Sequence, residues 1–294
     1  MSTVHVLVPD GIDDPTRPSG GNTYDRRICH GLTALGWFVR EHAVPGLWPW
    51  PDAAARTRLF GVLAAIPDEA VVLVDGLIAS TVPDVLVPEA RRLRLVVLMH
   101  LPLGDKATGG DADSRECATL SAVAAVVTTS AWTRRWLLER YPLGPDGVHV
   151  AEPGVDSADL APGTAAGGEL LCVAAVTPQK GYDVLLAALT EVADLSWGCA
   201  CVGTVTRDPG FVDLLVRRAR DGGIGDRVRF TGARTGAGLD DADAAADVLV
   251  LATLAESYGM VVSEALARGI PVVATSVGGV PEALGQLPDG SRPG

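Results

Sequence analysis

Two carboxylates, Glu256 and Glu264, are separated by the seven-residue run Ser-Tyr-Gly-Met-Val-Val-Ser. The run lies between an apolar, strand-like stretch, Asp247–Thr253, and a helix-like stretch ending at Arg268-Gly269. Glu256 is therefore expected on the loop leaving a strand tip, and Gly259, Met260 and Val261 on the first turn of a helix. A first turn has unpaired N–H groups and the positive end of the helix dipole, which suit a phosphate or a sugar hydroxyl. At about 3.6 residues per turn, Glu264 falls about two turns in and can border the same pocket. A carboxylate accepts two hydrogen bonds, so either glutamate could hold the two hydroxyls of a sugar or ribose diol.

Three other places invite chemistry. Thr177-Pro-Gln-Lys-Gly181 follows an apolar stretch and opens a helix near Tyr182. A lysine and a glycine there can hold a diphosphate, although the GxxxxGK[ST] phosphate loop is absent and a solvated helix-start lysine is the plain alternative. Pro18-Ser-Gly-Gly-Asn22 follows the first strand, and Gly20 and Gly21 would let backbone approach a ligand closely. The alternative there is a flexible loop. His100 ends an apolar strand, where it could hydrogen-bond a substrate hydroxyl, shuttle a proton, or be incidental. Asp111 and Asp113 have the spacing of a metal-binding pair, but they read as a solvated Gly/Asp-rich loop rather than a metal site. Asp240, Asp241 and Asp243 suit a helix start. His5 and His149 read as structural. Trp48 and Trp50 fit packing or an exposed aromatic rim equally.

Near-continuous apolar stretches rich in valine must position these residues. In the first half they are Val4–Val8, Phe38–Val44, Val71–Asp75, Leu93–Met99, Ala125–Thr129 and Val148–Ala151. They alternate with helix-like stretches such as Thr23–Leu35, Asp52–Ala65 and Trp132–Arg140. The pattern is that of a parallel sheet covered on both faces. It breaks in the Pro/Gly/Ala-rich stretch 152–168, then restarts with Leu170–Val176, Gly198–Val202, Val228–Thr231, Val248–Leu251 and Val272–Thr275. Two doubly wound α/β domains facing a cleft are expected, residues 1–152 and 153–294. Ligands would bind beyond the carboxyl ends of the strands. The end, Leu287–Gly294, is loop chemistry where another strand is expected, so the second domain reads as truncated.

Composition narrows the partners. Of 294 residues, 36 are acidic and 24 are Lys or Arg, a formal charge of −12, which argues against nucleic acid. Only two lysines occur, Lys106 and Lys180, which draws notice to the second. Five cysteines without zinc or redox spacing suit a reducing cytoplasm. No signal peptide or membrane span is legible. Peripheral membrane contact is left open, though an acidic chain offers little for anionic lipid. A GxGxxG turn does not follow Val8, which disfavours a nicotinamide oxidoreductase.

Together these stretches resemble a family 4 glycosyltransferase of the GT-B fold. Glu256–Glu264, then Ala265-Leu-Ala-Arg-Gly-Ile-Pro-Val-Val-Ala-Thr275 and Gly278-Gly-Val-Pro-Glu282, carry most of the likeness. Val148–Asp156, Val228–Gly232 and Val126–Ser130 extend it over nearly the whole chain. The resemblance implies a retaining, metal-independent hexosyltransferase that takes a nucleoside-diphosphate sugar as donor substrate and needs no cofactor. It implies Glu264 on the ribose, Glu256 on the transferred sugar, and backbone at Gly259, Met260 and Val261 near sugar and phosphate. Lys180 would neutralise the diphosphate, Arg234 would border the base, and His100 would lie near the donor sugar. Gly20 and Gly21 would face phosphates and acceptor. Members usually carry an arginine five residues before the lysine, where this chain has Ala175. The resemblance also admits a non-catalytic nucleotide-sugar binder or a sugar-nucleotide epimerase. It leaves donor, acceptor and oligomeric state unassigned.

Overall fold

The computed structural model describes residues 2–104, 110–287 and 290. Lys106 and most of the expected loop at Leu287–Gly294 lie outside them. The chain divides into two compact units, Met1–Asp13 with Gly20–Pro153, and Asp14–Ser19 with Gly154–Gly294. The division after Pro153 lies one residue from the expected boundary. Asp14–Ser19, expected within the first domain, groups with the second unit, so that domain is not one continuous stretch.

Among the described residues the first unit holds six strands: β1 (Thr3–Pro9), β2 (Phe38–Val44), β3 (Val71–Asp75), β4 (Arg94–Met99), β5 (Ala125–Thr128) and β6 (Val148–Val150). They form one parallel sheet in the order β2-β1-β3-β4-β5-β6. Burial explains the patterns in sequence. β1 is buried continuously from Val4 to Val8, as a central strand covered on both faces must be. β2 is an edge strand, and its Arg40, Glu41 and His42 are tolerated because much of it faces water. The helices are α1 (Gly20–Ala34), α2 (Ala53–Ala64), α3 (Gly76–Ala79), α4 (Pro83–Glu89), α5 (Gly110–Leu120) and α6 (Ala131–Arg140). Side-chain caps start several of them: Asp52 accepts from Ala55 N at 2.7 Å and Ser130 from Thr133 N at 3.0 Å.

The second unit has strands β7 (Glu169–Val173), β8 (Gly198–Val202), β9 (Val228–Gly232), β10 (Val248–Leu251) and β11 (Val272–Ala274). Its helices are α7 (Tyr182–Glu191), α8 (Pro209–Asp221), α9 (Ala237–Ala244), α10 (Met260–Ala267) and α11 (Val280–Leu284). This sheet is also parallel, in the order β11-β10-β7-β8-β9. Each sheet reverses its winding once, between β1 and β3 in the first and between β7 and β10 in the second. Such a switch point leaves a crevice beyond the carboxyl ends of its two strands.

Leu95 on β4 is fully buried in the main core of the first unit. Leu95→Ala should lower that unit's unfolding free energy by about 2–5 kcal/mol. Tryptophan fluorescence in a urea titration reads this selectively, because Trp37, Trp48, Trp50, Trp132 and Trp136 lie in the first unit and only Trp197 in the second.

Candidate active site

The switch point of the second sheet gathers two of the expected residues. After β7 the chain makes a 3₁₀ turn over Pro178–Lys180, then Gly181 takes a left-handed backbone (φ 63°) and caps α7. Gly181 is required twice over, since a Cβ there would lie 1.9 Å from the carbonyl oxygen of Ala252, just past β10. The loops after β7 and β10 are stitched by Leu254 N donating to Gln179 O at 2.9 Å. This brings Lys180 Nζ to 2.5 Å from Glu256 Oε2. Both side chains are half-buried, so the pair is partly shielded from water.

Glu256 is held from behind by the Gly278-Gly279 turn. Gly279 N donates to Glu256 O at 2.9 Å. A Cβ on Gly278 would meet that same oxygen at 1.8 Å, and one on Gly279 would meet Ser257 O at 2.1 Å. Gly259 (φ 95°) caps α10, whose first residues are Met260 and Val261. The cap supplies no side-chain acceptor, so first-turn N–H groups of α10 are available to an anion. Glu264 is the fifth residue of α10, a little over one turn in, where about two turns were expected. The helix begins later than a count from Glu256 assumes.

Arg234 lies two residues beyond the end of β9. It is exposed and lines a cavity of about 180 Å³ between the β7–β9 face of the sheet and α9, together with Glu169, Arg229, Thr231 and Asp241.

In the first unit the other candidates converge at the other switch point. Gly20 and Gly21, expected in a loop, are the first residues of α1, and neither takes a left-handed backbone. Gly21 instead makes room, because a Cβ there would come 3.2 Å from Cδ2 of His100. His100 directly follows β4, and Tyr24 sets its ring edge-on to it with centroids 5.2 Å apart. Two carboxylates that sequence reasoning missed complete the group. His100 Nε2 lies 2.8 Å from Asp25 Oδ1 and 3.4 Å from Asp75 Oδ2. Asp75 ends β3 and accepts from Leu77 N at 2.7 Å and Ile78 N at 3.3 Å, which starts α3. An acid closing the apolar run Val71-Val-Leu-Val was a legible signal of a strand-end carboxylate. Asp25 on α1 is fully buried and offered none.

The electrostatics of this group follow from burial. Burial by itself would lower the His100 pKa, but Asp25 and Asp75 together outweigh it and hold the ring well above its ordinary value. Burial raises Asp25 above the usual carboxylate range, against the pull of His100, and Asp75 adds to the rise. The three groups have their ligand-type atoms within 4.8 Å of one another. We read them as an ion-paired group, because His100 supplies the counter-charge.

Asp111 and Asp113 lie in the first turn of α5, not in a loop. Asp111 pairs with Arg115, and Asp113 pairs with Arg140 at 2.8 Å while accepting from Tyr141 Oη at 2.9 Å. Asp240 is in the first turn of α9, and Asp243 pairs with Arg268 at 3.1 Å. His5 stacks on His42, whereas His149 is exposed on β6. Trp48 donates to Val44 O at 3.0 Å and packs on the core, while Trp50 is 76% exposed. All five cysteines are free.

The second unit's strand-end lysine, glutamates and glycine turns coincide with a family match. Residues 167–290 match the family described as "Glycosyl transferases group 1". The D-inositol 3-phosphate glycosyltransferase 1 of Catenulispora acidiphila is 31% identical over 87% of this chain and 68% of its own length. The chain belongs to the group 1 glycosyltransferases. The D-inositol 3-phosphate glycosyltransferase of Mycolicibacterium vanbaalenii is 30% identical over 71% of the chain, which spans about half (52%) of that relative. Among solved structures, sucrose-phosphate synthase from Thermosynechococcus elongatus superposes with a TM-score of 0.78 at 18% identity, over 97% of this chain and 84% of that one. HepE of Anabaena, solved with UDP and glucose, gives 0.72 at 18% identity, over 95% and 82%. The fold of this group 1 glycosyltransferase is thus GT-B, built of two Rossmann-like units. No helix among the described residues is long and apolar enough to cross a membrane.

Proposed function

We propose that this chain is a retaining, metal-independent glycosyltransferase that moves a sugar from a nucleoside-diphosphate donor to an acceptor hydroxyl. The observation that carries the reading is the Lys180–Glu256 pair at the second switch point, with Glu256 on the loop that leads into the first turn of α10. Lys180 and the N–H groups at Met260 and Val261 stabilise the departing diphosphate, whose charge grows in the transition state. Glu256 orients the sugar, and Glu264 holds the ribose diol. In the first unit, Gly20 and Gly21 face phosphates and acceptor, and His100 lies near the donor sugar. Arg234 borders the base. With Ala175 in place of the expected arginine, Arg207 in the loop after β8 is the spare cation of the neighbouring strand. It is exposed and has no acidic partner among the described residues. The five free cysteines fit a reducing compartment, in which the cytoplasm is the site of action.

The donor enters where Lys180 now meets Glu256, so it must exchange a carboxylate for a diphosphate. A nucleotide sugar that binds should therefore raise the melting temperature. At 100 times its Kd the stabilisation is about 2.7 kcal/mol, or roughly 5–10 °C. UDP sugars are tried first, since HepE was solved with UDP and glucose. No shift with any UDP, GDP or ADP sugar would end the reading. Stabilisation without transfer or donor hydrolysis would favour a non-catalytic binder, and isomerised donor without acceptor an epimerase. Retention is read from the anomeric proton coupling of the product.

A further inference from the structure

The group around His100 holds more charge than the reading above uses. Asp25 is fully buried, and neither of its oxygens has an aligned hydrogen-bond donor among the described residues. The 2.8 Å approach of His100 Nε2 is thus an electrostatic contact out of line for a hydrogen bond. Asp75 is buried as well, and one of its oxygens is already committed to the start of α3. No Lys or Arg pairs with either acid among the described residues, so His100 is the cation available to both.

We propose that Asp25, assisted by Asp75, is a positioning residue that holds His100 as a buried imidazolium with Nε2 turned toward the two carboxylates. A neutral ring would leave two carboxylates in a buried space with no positive charge, the costliest arrangement of these groups. Protonation leaves one net negative charge. Among the described residues, α1 brings Tyr24 and Asp25 to the ring, and the end of β3 brings Asp75. Tyr24 stays neutral, because burial and then Asp25 push it up to about 12. The clamp fixes the role of His100 at neutral pH. The ring is an oriented positive charge with Nδ1 as its unused polar atom, not a general base that takes a proton from an acceptor hydroxyl.

The test uses the full chain with ¹⁵N-labelled histidine, and His100→Gln identifies the His100 resonances. In the wild type these should keep the imidazolium pattern past pH 9. Asp25→Asn should move the midpoint down by a unit or more, and Asp75→Asn by less, because its oxygen is farther. Folding binds the His100 proton more tightly than the unfolded chain does. The stabilisation is therefore complete below about 6.5 and lost as pH rises toward about 10. Asp25→Asn should end that loss at a lower pH. A wild-type His100 that titrates near 6.5, or a midpoint unmoved in a folded Asp25→Asn, overturns the proposal. So does broadening of the His100 lines by stoichiometric Mn²⁺, which would make the ring a neutral metal ligand. If Asp25→Asn does not fold, the wild-type titration still decides, and Asp25→Glu should keep the high midpoint. A further arm rests on the sugar-transfer reading: the alkaline limb of the transfer rate should move to lower pH in Asp25→Asn. Failure of that reading removes only this arm, since the resonance titration needs no activity.

Discussion

Lys180→Ala should cut sugar transfer by about 10²–10³-fold, the loss typical when one preorganised electrostatic donor is removed from a developing anion. Lys180 meets its charge partner through two loops at the ends of neighbouring strands, so the position of Nζ is set by the sheet. The loss should fall on kcat more than on KM. Charge accumulates on the diphosphate as the sugar departs, so the lysine binds the transition state more tightly than the bound donor. Lys180→Arg should recover part of the rate, because charge is kept and reach is altered. Glu256 stays partly solvated when its partner is gone, so the variant should fold, and circular dichroism checks this. Wild-type turnover in Lys180→Ala would remove the lysine from the machinery.

Gly278→Ala should be the most damaging single methyl group tested in the second unit. Its backbone lies at φ 57°, and the new Cβ would sit 1.8 Å from the carbonyl oxygen of Glu256. The left-handed backbone costs about 1–2 kcal/mol for a residue with a Cβ. Overlap with a backbone atom, which cannot swing aside as a side chain can, adds about 1–3 kcal/mol. A stability loss of about 2–5 kcal/mol is therefore expected, or a displaced Glu256 loop with transfer lost. Gly167→Ala is the matched control: its φ is 69° and a Cβ would meet nothing within 4 Å. It should show the backbone cost alone. Equal melting temperatures for the two variants would refute the argument that Gly278 is needed to let the two turns touch.

Both predictions concern residues that were legible in the chain, and their neighbours show why others were not. β3, β8 and β10 fall where their apolar runs lie, because a strand covered on both faces must be apolar along its whole length. α1 begins at Gly20, earlier than expected, because glycine is a poor helix former and reads as loop until packing decides otherwise. Asp111 and Asp113 read as loop for the same local reason, while the structure makes them the acidic first turn of α5. Asp25 could not be found, since a single acid in an amphipathic helix gives no sign of facing inward.

The sequence by itself determined the alternation of strands and helices, the break between two parallel sheets, and the strand-end loops that carry Lys180, Glu256 and His100. These are local properties, set by runs of apolar side chains and by the glycines that end them. Only the tertiary structure decided which loops meet. β7 lies beside β10 because the second sheet reverses its winding there, and that brings together Lys180 and Glu256 across 76 residues. β3 lies beside β1 and β4 in the first sheet, and that closes Asp25, Asp75 and His100 into one buried group. Strand order is chosen by how whole layers pack, a global balance of buried area that no short stretch of residues encodes.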